Sequence, residues 1–509
     1  MSKIDIYNYD ANYIKIYSDD KGLYYTIRDS FTYTVPFYIA KNKKSFKNGS
    51  WDGKIRFFDM RKNILYRGFL KLLIKICKDM NVDINYLDDS LDVELSEDME
   101  MKKELLEYLK TLKEKLKYKI RKYQAIAFIE GVRNYRKTLI CPTSSGKTFI
   151  LYLILRFYIE NVLDENEKCL IIVPSITLIQ QTLKELIYEY DNDDIFLDKI
   201  HTIYSGKEKD TDKQIIISTY QSLIREKSNY FKDFKLVVVD EVHHLNDEST
   251  GIRKILQHCS NAFFRVGMTG SLSDIETSKV VVESFFGEIK DIISTKKLQD
   301  SGYISKSKIY VCNLKYSRYE DIVRNLKLEK NYMSEIDFIS RFKPRNKKII
   351  ELMNKYDGNK MLLFNRVKHG QSLKKYLEEN GMKYFFIDGK TSIDERENIR
   401  IMMEKEDNAV LLASWQCAGT GYSIKKLMYV VFCSTYKSQI KNVQAIGRGL
   451  RLHPDKKIVK IIDFVDDMRI SSKKKGCRSE NFLYKHSIKR QELYFRKNFN
   501  YIITKNVEL

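Results

Sequence analysis

Leu139-Ile140-Cys141-Pro142-Thr143-Ser144-Ser145-Gly146-Lys147-Thr148-Phe149-Ile150-Leu151-Tyr152-Leu153-Ile154 runs from an apolar strand through a small polar turn into an apolar helix. That context is what a phosphate-binding loop requires. Backbone N–H groups at a helix N-terminus wrap an anion without any side-chain charge. The reading puts Thr143, Ser144, Ser145 and Gly146 in the cradle. Lys147 reaches the β and γ phosphates of ATP, and Thr148 holds Mg2+. The usual first glycine of such a loop is replaced here by Cys141.

A second apolar run, Leu236-Val237-Val238-Val239, ends in Asp240-Glu241-Val242-His243. Two carboxylates at the end of a buried strand need a cation, because an uncompensated buried charge is expensive. Asp240 is therefore read as the magnesium ligand and Glu241 as the group that orients or deprotonates the attacking water.

Further short apolar runs include Cys169-Leu170-Ile171-Ile172-Val173 and Gln214-Ile215-Ile216-Ile217. Beyond a break near Ser301-Gly302 come Met361-Leu362-Leu363-Phe364, Ala409-Val410-Leu411-Leu412-Ala413 and Met428-Tyr429-Val430-Val431-Phe432. Runs that are apolar at nearly every position suit parallel strands buried on both faces. Two such series predict an α/β fold with two tandem doubly wound parallel-sheet lobes, residues 119–300 and 301–509, the second with a C-terminal extension. Residues 314–345 read as helical.

Residues 1–90 read as a small α/β domain. Ile14 and Ile16 alternate as in a strand, Asn48-Gly49 and Asp52-Gly53 mark turns, and Phe69, Leu72, Leu73, Ile76 and Cys77 form one face of a helix over 68–80. Residues 91–118 read as a charged connecting helix.

The chain has 509 residues, with 90 Lys+Arg against 68 Asp+Glu, a formal charge of +22. Such an excess points to a polyanionic partner, although an AT-rich coding bias supplies part of the lysine. The eight cysteines form no CxxC pair and several lie in apolar runs, which argues against a disulfide framework or a zinc knuckle and fits a reducing cytosol. The start, Met1-Ser2-Lys3-Ile4, lacks the apolar region of a signal peptide. No apolar run approaches the ~18 residues of a membrane span. His243 and His244 have no further ligands at metal-binding spacing, and the GxGxxG fingerprint of dinucleotide enzymes is absent.

Taken in order, these residues resemble a superfamily 2 helicase of the DExH type. Arg121-Lys122-Tyr123-Gln124 is similar to the adenine-reading glutamine motif. Val173-Pro174-Ser175-Ile176-Thr177 resembles motif Ia, and Ser218-Thr219-Tyr220-Gln221-Ser222-Leu223 a further polymer-gripping element. Gly267-Met268-Thr269-Gly270-Ser271 resembles motif III. Leu362-Leu363-Phe364-Asn365 resembles motif IV, and Ala418-Gly419-Thr420-Gly421-Tyr422-Ser423 motif V. Gln444-Ala445-Ile446-Gly447-Arg448-Gly449-Leu450-Arg451 matches motif VI.

The resemblance implies RecA-like lobes, ATP and Mg2+ as cofactors, and Gly419 near the nucleotide. Ser423 stands where many relatives carry Asp, which puts a nucleotide contact there in doubt. Ser175, Thr177, Thr219 and Thr420 become candidate DNA contacts, although each hydroxyl serves equally as a helix cap or turn residue. His243, Thr269 and Ser271 couple hydrolysis to movement, and Gln444 positions the water or pairs with His243. Arg448 and Arg451, spaced about one helical turn apart, would share a face and act as arginine fingers.

Asn48-Gly49-Ser50-Trp51-Asp52-Gly53-Lys54-Ile55-Arg56 further resembles the recombination helicases of T-even phages. That likeness implies action on branched DNA, including junctions, forks and R-loops, with duplex, single-stranded and RNA-containing partners. It also implies a bacterial host cytoplasm and a small N-terminal domain that binds duplex, with Trp51 beside Lys41, Lys43, Lys44 and Lys47. Two alternatives stay open: an RNA helicase, disfavoured by the missing DEAD tetrapeptide, and a nucleic-acid-binding scaffold with a dormant ATPase, disfavoured by intact Lys147, Glu241, Arg448 and Arg451.

Overall fold

In the computed structural model, all residues are described except 1, 89–90, 92–98, 191–194, 247–250, 329–330, 419–423, 435, 437 and 470–479. The chain divides into two compact units: residues 1–141 with 146–293, and residues 294–509 with 142–145.

The first unit opens with a five-stranded mixed sheet in the order β5-β6-β2-β1-β7. Its strands are β1 (Lys3–Asn8), β2 (Tyr13–Tyr17), β5 (Phe58–Asp59), β6 (Ile64–Tyr66) and β7 (Asp83–Tyr86). A two-stranded piece, β3 (Thr32–Thr34) with β4 (Lys54–Arg56), stands beside it. The helix expected over 68–80 begins as a 3-10 turn, Arg67–Phe69, and becomes α-helical over Leu70–Asp79. Phe69, Leu70, Leu73, Ile74 and Cys77 are buried, whereas Leu72, assigned inward from its spacing, is exposed. In the connecting segment the helix spans Met99–Leu112, and residues 89–90 and 92–98 lie outside the described residues.

A seven-stranded sheet follows in the order β10-β11-β9-β12-β13-β8-β14. Its strands are β8 (Arg136–Ile140), β9 (Lys168–Val173), β10 (Ile200–Ile203), β11 (Ile215–Thr219), β12 (Phe234–Asp240), β13 (Phe264–Thr269) and β14 (Ile289–Asp291). Every pairing is parallel. The unbroken apolar runs now have a cause. On β12, Val237 and Val239 enter one core while Leu236 and Val238 enter the other, and β9 divides Leu170 and Ile172 from Cys169, Ile171 and Val173 in the same way.

One of these two cores is shared with the N-terminal sheet. Ile4, Ile6, Ile14, Ile16, Phe69 and Leu73 belong to the same buried cluster as Val237, Val239, Val281 and Phe285. The two parts are also bonded. The Ala11 N–H donates to the Ser260 carbonyl at 2.8 Å. The Asn12 amide donates to the Gln257 carbonyl at 2.9 Å and accepts from the Arg265 guanidinium at 3.0 Å. Arg265, fully buried, also donates to the carbonyls of Leu256, Cys259 and Ala262, and burial lowers its pKa to about 10. Tyr66 meets Phe285 edge-on at 5.2 Å. Gly68 lies so near the helix Glu276–Phe286 that a Cβ there would sit 2.0 Å from the Glu283 carbonyl oxygen.

The second unit holds an eight-stranded sheet whose path is β17-β18-β16-β19-β20-β15-β21, with β22 also pairing β15. The strands are β15 (Lys306–Lys315), β16 (Asn359–Phe364), β17 (Tyr384–Ile387), β18 (Val410–Ser414), β19 (Leu427–Phe432), β20 (Ile458–Asp467), β21 (Tyr501–Ile503) and β22 (Val507–Glu508). The stretch 314–345 contains the helices Glu320–Leu328 and Tyr332–Arg341.

β20 carries three buried carboxylates, each with cationic partners. Asp463 accepts from Arg490 at 2.8 and 2.9 Å, Asp466 from Arg345 at 2.6 and 2.9 Å, and Asp467 from Lys315 and Arg469. The Glu335 carboxylate accepts the Phe482 and Leu483 N–H groups at 2.9 Å each, so a remote side chain caps the C-terminal helix Phe482–Arg496. Both sheet units are RecA-like lobes, preceded by the small α/β domain. No described helix is long and apolar enough to cross a membrane.

Gly68→Ala places a methyl group against a backbone carbonyl that cannot move without shifting a helix. It is expected to destabilise the protein by about 1–3 kcal/mol and to lower the first unfolding transition in calorimetry. An unchanged transition would show that the close approach of the two parts contributes nothing.

Candidate nucleotide site

All strands of the seven-stranded sheet point the same way, so their carboxyl ends share one edge, where ligands of open α/β sheets bind. β12, β13 and β8 are neighbours in this sheet. Asp240 therefore ends β12, Thr269 ends β13, and the phosphate loop leaves β8, side by side. The Cys141 N–H donates to the Thr269 carbonyl at 2.8 Å and extends the ladder into the loop.

Gly146 has φ +81° and precedes the helix Lys147–Asn161 as its N-cap. A Cβ at Gly146 would lie 2.7 Å from Nε2 of Gln124, so glycine is demanded twice, by the left-handed backbone and by the glutamine beside it. The Gln124 Oε1 accepts the Arg121 N–H at 3.0 Å, and the Arg121 guanidinium donates to the Tyr123 hydroxyl at 3.2 Å. Ser144 also has positive φ, +66°, within the turn, and Ser145 is buried, its N–H donating to the Pro142 carbonyl at 3.1 Å. Thr143 is half-buried. Thr148 is half-buried too.

Glu241 follows β12 in the left-handed region, φ +52°. Such a conformation costs a non-glycine residue on the order of 1 kcal/mol or more and persists where surrounding contacts hold it. Those contacts are specific. Glu241 Oε1 lies 3.5 Å from the Lys147 ammonium. Its Oε2 lies 3.2 Å from His243 Nδ1 and accepts from the Thr269 hydroxyl at 3.3 Å. His243 Nδ1 and Thr269 Oγ1 are themselves 2.9 Å apart, and that hydroxyl is 3.0 Å from the Ser271 carbonyl. Two of the three residues assigned to coupling, His243 and Thr269, thus converge on one carboxylate oxygen, with Ser271 joined through Thr269, while the lysine takes the other.

Asp240 Oδ1 accepts the Glu241 N–H at 2.9 Å. Its carboxyl is held above the usual carboxylate range, first by removal from water and then by the charge of Glu241, with Lys147 opposing. A cation beside Asp240 would relieve that cost. The donor set, a strand-end carboxylate and the Thr148 hydroxyl, suits a hard ion such as Mg2+.

The same sheet edge continues past β12 to β9 and β11. Ser175 follows β9 and caps the helix Ile176–Lys184, its hydroxyl accepting from the Leu178 N–H at 3.4 Å. Thr177 is half-buried in that helix's first turn. Thr219 ends β11, buried, with its hydroxyl 3.0 Å from that of Ser222. Trp51, in the N-terminal domain, is half-buried, its indole N–H donates to the Lys54 carbonyl at 2.8 Å, and the Lys43 ammonium lies 5.0 Å from its ring centre.

In the second unit, Gln444 and Arg448 lie on the helix Gln439–Arg448. Arg451 does not share their helical face, contrary to the spacing argument. The helix stops at Arg448, with Gly449 as its C-cap. Arg451 lies in the turn beyond, held by its carbonyl, which accepts from the Ser305 hydroxyl at 3.1 Å. Gly419, Thr420 and Ser423 of motif V, and the Lys473-Lys474-Lys475 run, lie outside the described residues.

Sequence reasoning missed three groups of residues. Asn12 and Arg265 lock the N-terminal domain to β13, and nothing in their local sequence announces a partner some 250 residues away. The cap that Glu335 places on the C-terminal helix is equally non-local. Phe37 and Tyr38, after Pro36, are exposed aromatics that an unusual dipeptide pair could have flagged.

Three family models match in order: "DNA helicase UvsW, N-terminal" over residues 3–88, "Type III restriction enzyme, res subunit" over 100–274, and "Helicase conserved C-terminal domain" over 344–453. The ATP-dependent DNA helicase UvsW of Enterobacteria phage T4 is 28% identical over 98% of this chain and 99% of its own length. The DNA 3'-5' translocase XPB2 of Sulfurisphaera tokodaii is 24% identical over 70% of this chain and 84% of its own. The solved structure of S. cerevisiae Dbp5, at 15% identity, covers 80% of this chain and 93% of that one with a TM-score of 0.52, a likeness of fold.

Thr269→Val deletes the hydroxyl that joins His243, Glu241 and Ser271 while keeping the side chain's shape. ATP turnover is expected to fall on the order of tenfold, the worth of one or two hydrogen bonds, with nucleotide affinity nearly unchanged, as read by steady-state hydrolysis and fluorescent-nucleotide titration. Turnover at the parental rate would remove Thr269 from the coupling group.

With its motifs placed on the parallel-sheet lobes and helicase domain models matched in order, this chain is similar to superfamily 2 helicases and, over nearly its whole length, to UvsW.

Proposed function

We propose that the protein is an ATP-driven DNA helicase that unwinds or migrates branched DNA during recombination and replication. The observation that carries the reading is the convergence of Lys147, His243 and Thr269 on the Glu241 carboxylate. That arrangement brings a phosphate-binding lysine, a water-orienting carboxylate and a relay to β13 together on one sheet edge. The likeness to UvsW over nearly the whole of both chains supports DNA as the polymer.

In this reading, residues 1–90 form a DNA-binding domain, 91–118 a connector, 119–300 the lobe with the phosphate loop, and 301–509 the lobe with motifs IV to VI. Gln124 and Arg121 hold the adenine side. Thr143, Ser144, Ser145, Gly146 and Lys147 hold the phosphates, with Gly419 nearby. Thr148 and Asp240 hold Mg2+, which would neutralise charge on the phosphates when bound. Glu241 orients the attacking water. Gln444, Arg448 and Arg451 supply hydrogen bonding and positive charge to the transferred phosphoryl group. Ser175, Thr177, Thr219 and Thr420 grip the sugar–phosphate backbone without reading sequence. The protein acts in the cytoplasm, that of a bacterial host for a phage-borne chain.

ATP hydrolysis measured with no polymer, single-stranded DNA, a four-way DNA junction and RNA of matched length tests this reading. Stimulation greatest with the junction is expected. Stimulation greatest with RNA would shift the function to RNA remodelling, and no hydrolysis under any condition would leave a scaffold. Lys147→Ala should abolish turnover with DNA affinity intact, and equal turnover would remove the phosphate-loop assignment. Arg451→Ala should bind ATP yet hydrolyse it on the order of 10³-fold more slowly; parental hydrolysis would mean that another group acts as the finger. DNA affinity should also fall steeply with added salt as condensed counterions are released.

A further inference from the structure

The segment between β3 and β4 forms a compact outgrowth of the N-terminal domain. β3 and β4 pair antiparallel through Thr32–Arg56, Tyr33–Ile55 and Thr34–Lys54. The Val35 N–H donates to the Gly53 carbonyl at 2.8 Å, and Val35, Ala40 and Phe57 are buried at the base. Inside the outgrowth, the Phe46 ring meets Phe37 at 6.0 Å and Trp51 at 6.1 Å, both edge-on. Lys43 covers the Trp51 ring and the backbone takes its indole N–H. Trp51 is thus committed to holding the outgrowth together.

The aromatics left to solvent are Phe37, 69% exposed, and Tyr38, 57% exposed. They open the short helix Phe37–Ala40, where Pro36 at the N-cap fixes the entry of the chain while Ala40 packs inward. Two adjacent large aromatics, both mostly in water and both on a braced base, form a platform, with the edge of Phe46 against Phe37.

The surroundings of this platform are strongly basic. Residues 31–56 contain Lys41, Lys43, Lys44, Lys47, Lys54 and Arg56 against one acid, Asp52. Asp52 is already paired with Arg56. Lys41, Lys44, Lys47 and Lys54 are exposed. Aromatic faces set among cations match a polyanion that also offers flat π surfaces, which is nucleic acid.

We propose that Phe37 and Tyr38 stack on the base pair left uncovered where a DNA duplex ends at a branch point, while the surrounding lysines hold the flanking phosphates. The inference rests on the reading of the protein as a DNA helicase and deepens it by naming the element that recognises the branch. The physics supplies the selectivity. Inside a continuous duplex every base face is covered by its neighbour, so the lysines bind but the rings find nothing to stack on. At a junction or fork a base face opens, and the platform gains a contact that continuous duplex cannot offer.

The test uses the full-length protein with Phe37→Ala/Tyr38→Ala, whose positions are exposed and belong to none of the elements that carry the nucleotide residues. Binding is measured to a four-way junction and to a relaxed, covalently closed duplex circle, which has no branch and no end. A junction carrying 2-aminopurine at the branch reports stacking directly. The double variant should bind the junction about tenfold or more weakly, the scale of base–aromatic stacking, and the circle within about twofold of the parent. It should lose the 2-aminopurine signal and keep its ATPase without polymer. Phe37→Trp/Tyr38→Trp should retain junction binding.

Equal losses on junction and circle would overturn the proposal in favour of a general charge or folding effect. Unchanged junction binding would overturn it as well, and would leave the face to some other partner, such as an acidic protein. Failure of the helicase reading is separable, because it would show as parental ATPase that no DNA stimulates.

Discussion

A carboxylate at the end of a buried apolar strand cannot stand alone, and the organisation of the first lobe follows from that constraint at Asp240-Glu241. Burial raises the pKa of Asp240, and the charge of Glu241 raises it further. The structure answers with Lys147 on one oxygen of Glu241 and with His243 and Thr269 on the other. Each compensating group comes from a different element: the phosphate loop, the turn after β12, and the end of β13. The electrostatic requirement of one strand end therefore ties three elements together at the point where a nucleotide's charge would arrive. Any change in charge at Lys147 is felt at Thr269 through a chain of contacts no longer than two side chains.

β13 connects this site to the N-terminal domain. Thr269 is its last residue and Arg265 its second, and the fully buried Arg265 is clamped by Asn12 and three carbonyls. The shared core makes the N-terminal domain a rigid extension of the first lobe and not a tethered module. A domain held on such a mount is carried with the lobe. Its outgrowth with Phe37 and Tyr38 keeps a fixed place on that mount.

The second unit uses charge differently. The carboxylates of Asp463, Asp466 and Asp467 on β20 are buried with guanidinium or ammonium partners, and two of these pairs recruit tyrosine hydroxyls as well. Such pairs contribute little net stability against apolar replacements, yet they are costly to break one partner at a time. Through Arg490 and Tyr494 on Asp463, and Glu335 on the helix N-terminus, they fasten the C-terminal helix to the lobe.

Much of this was legible in residue order. The strand–turn–helix around Lys147, the carboxylates after Val239 and the repeated apolar runs determined two parallel-sheet lobes, because local patterning and short motifs need only neighbours in sequence to declare themselves. The sequence also singled out Glu241 as a catalytic candidate and His243 and Thr269 as coupling candidates. Their meeting at a single oxygen depended on the order of β12, β13 and β8 in the sheet. The tertiary structure alone decided which aromatics face water: Trp51, the conspicuous residue, is tied down by Lys43 and Phe46, and the less conspicuous Phe37 and Tyr38 are left open. It decided that Leu72 points outward while Leu70, Leu73, Ile74 and Cys77 pack inward, and that Arg451 lies beyond the helix that ends at Arg448. It decided the weld of Asn12 to Arg265 as well. Each of these depends on atoms brought together from distant parts of the chain, and burial, unlike periodicity, is a property of the assembled fold.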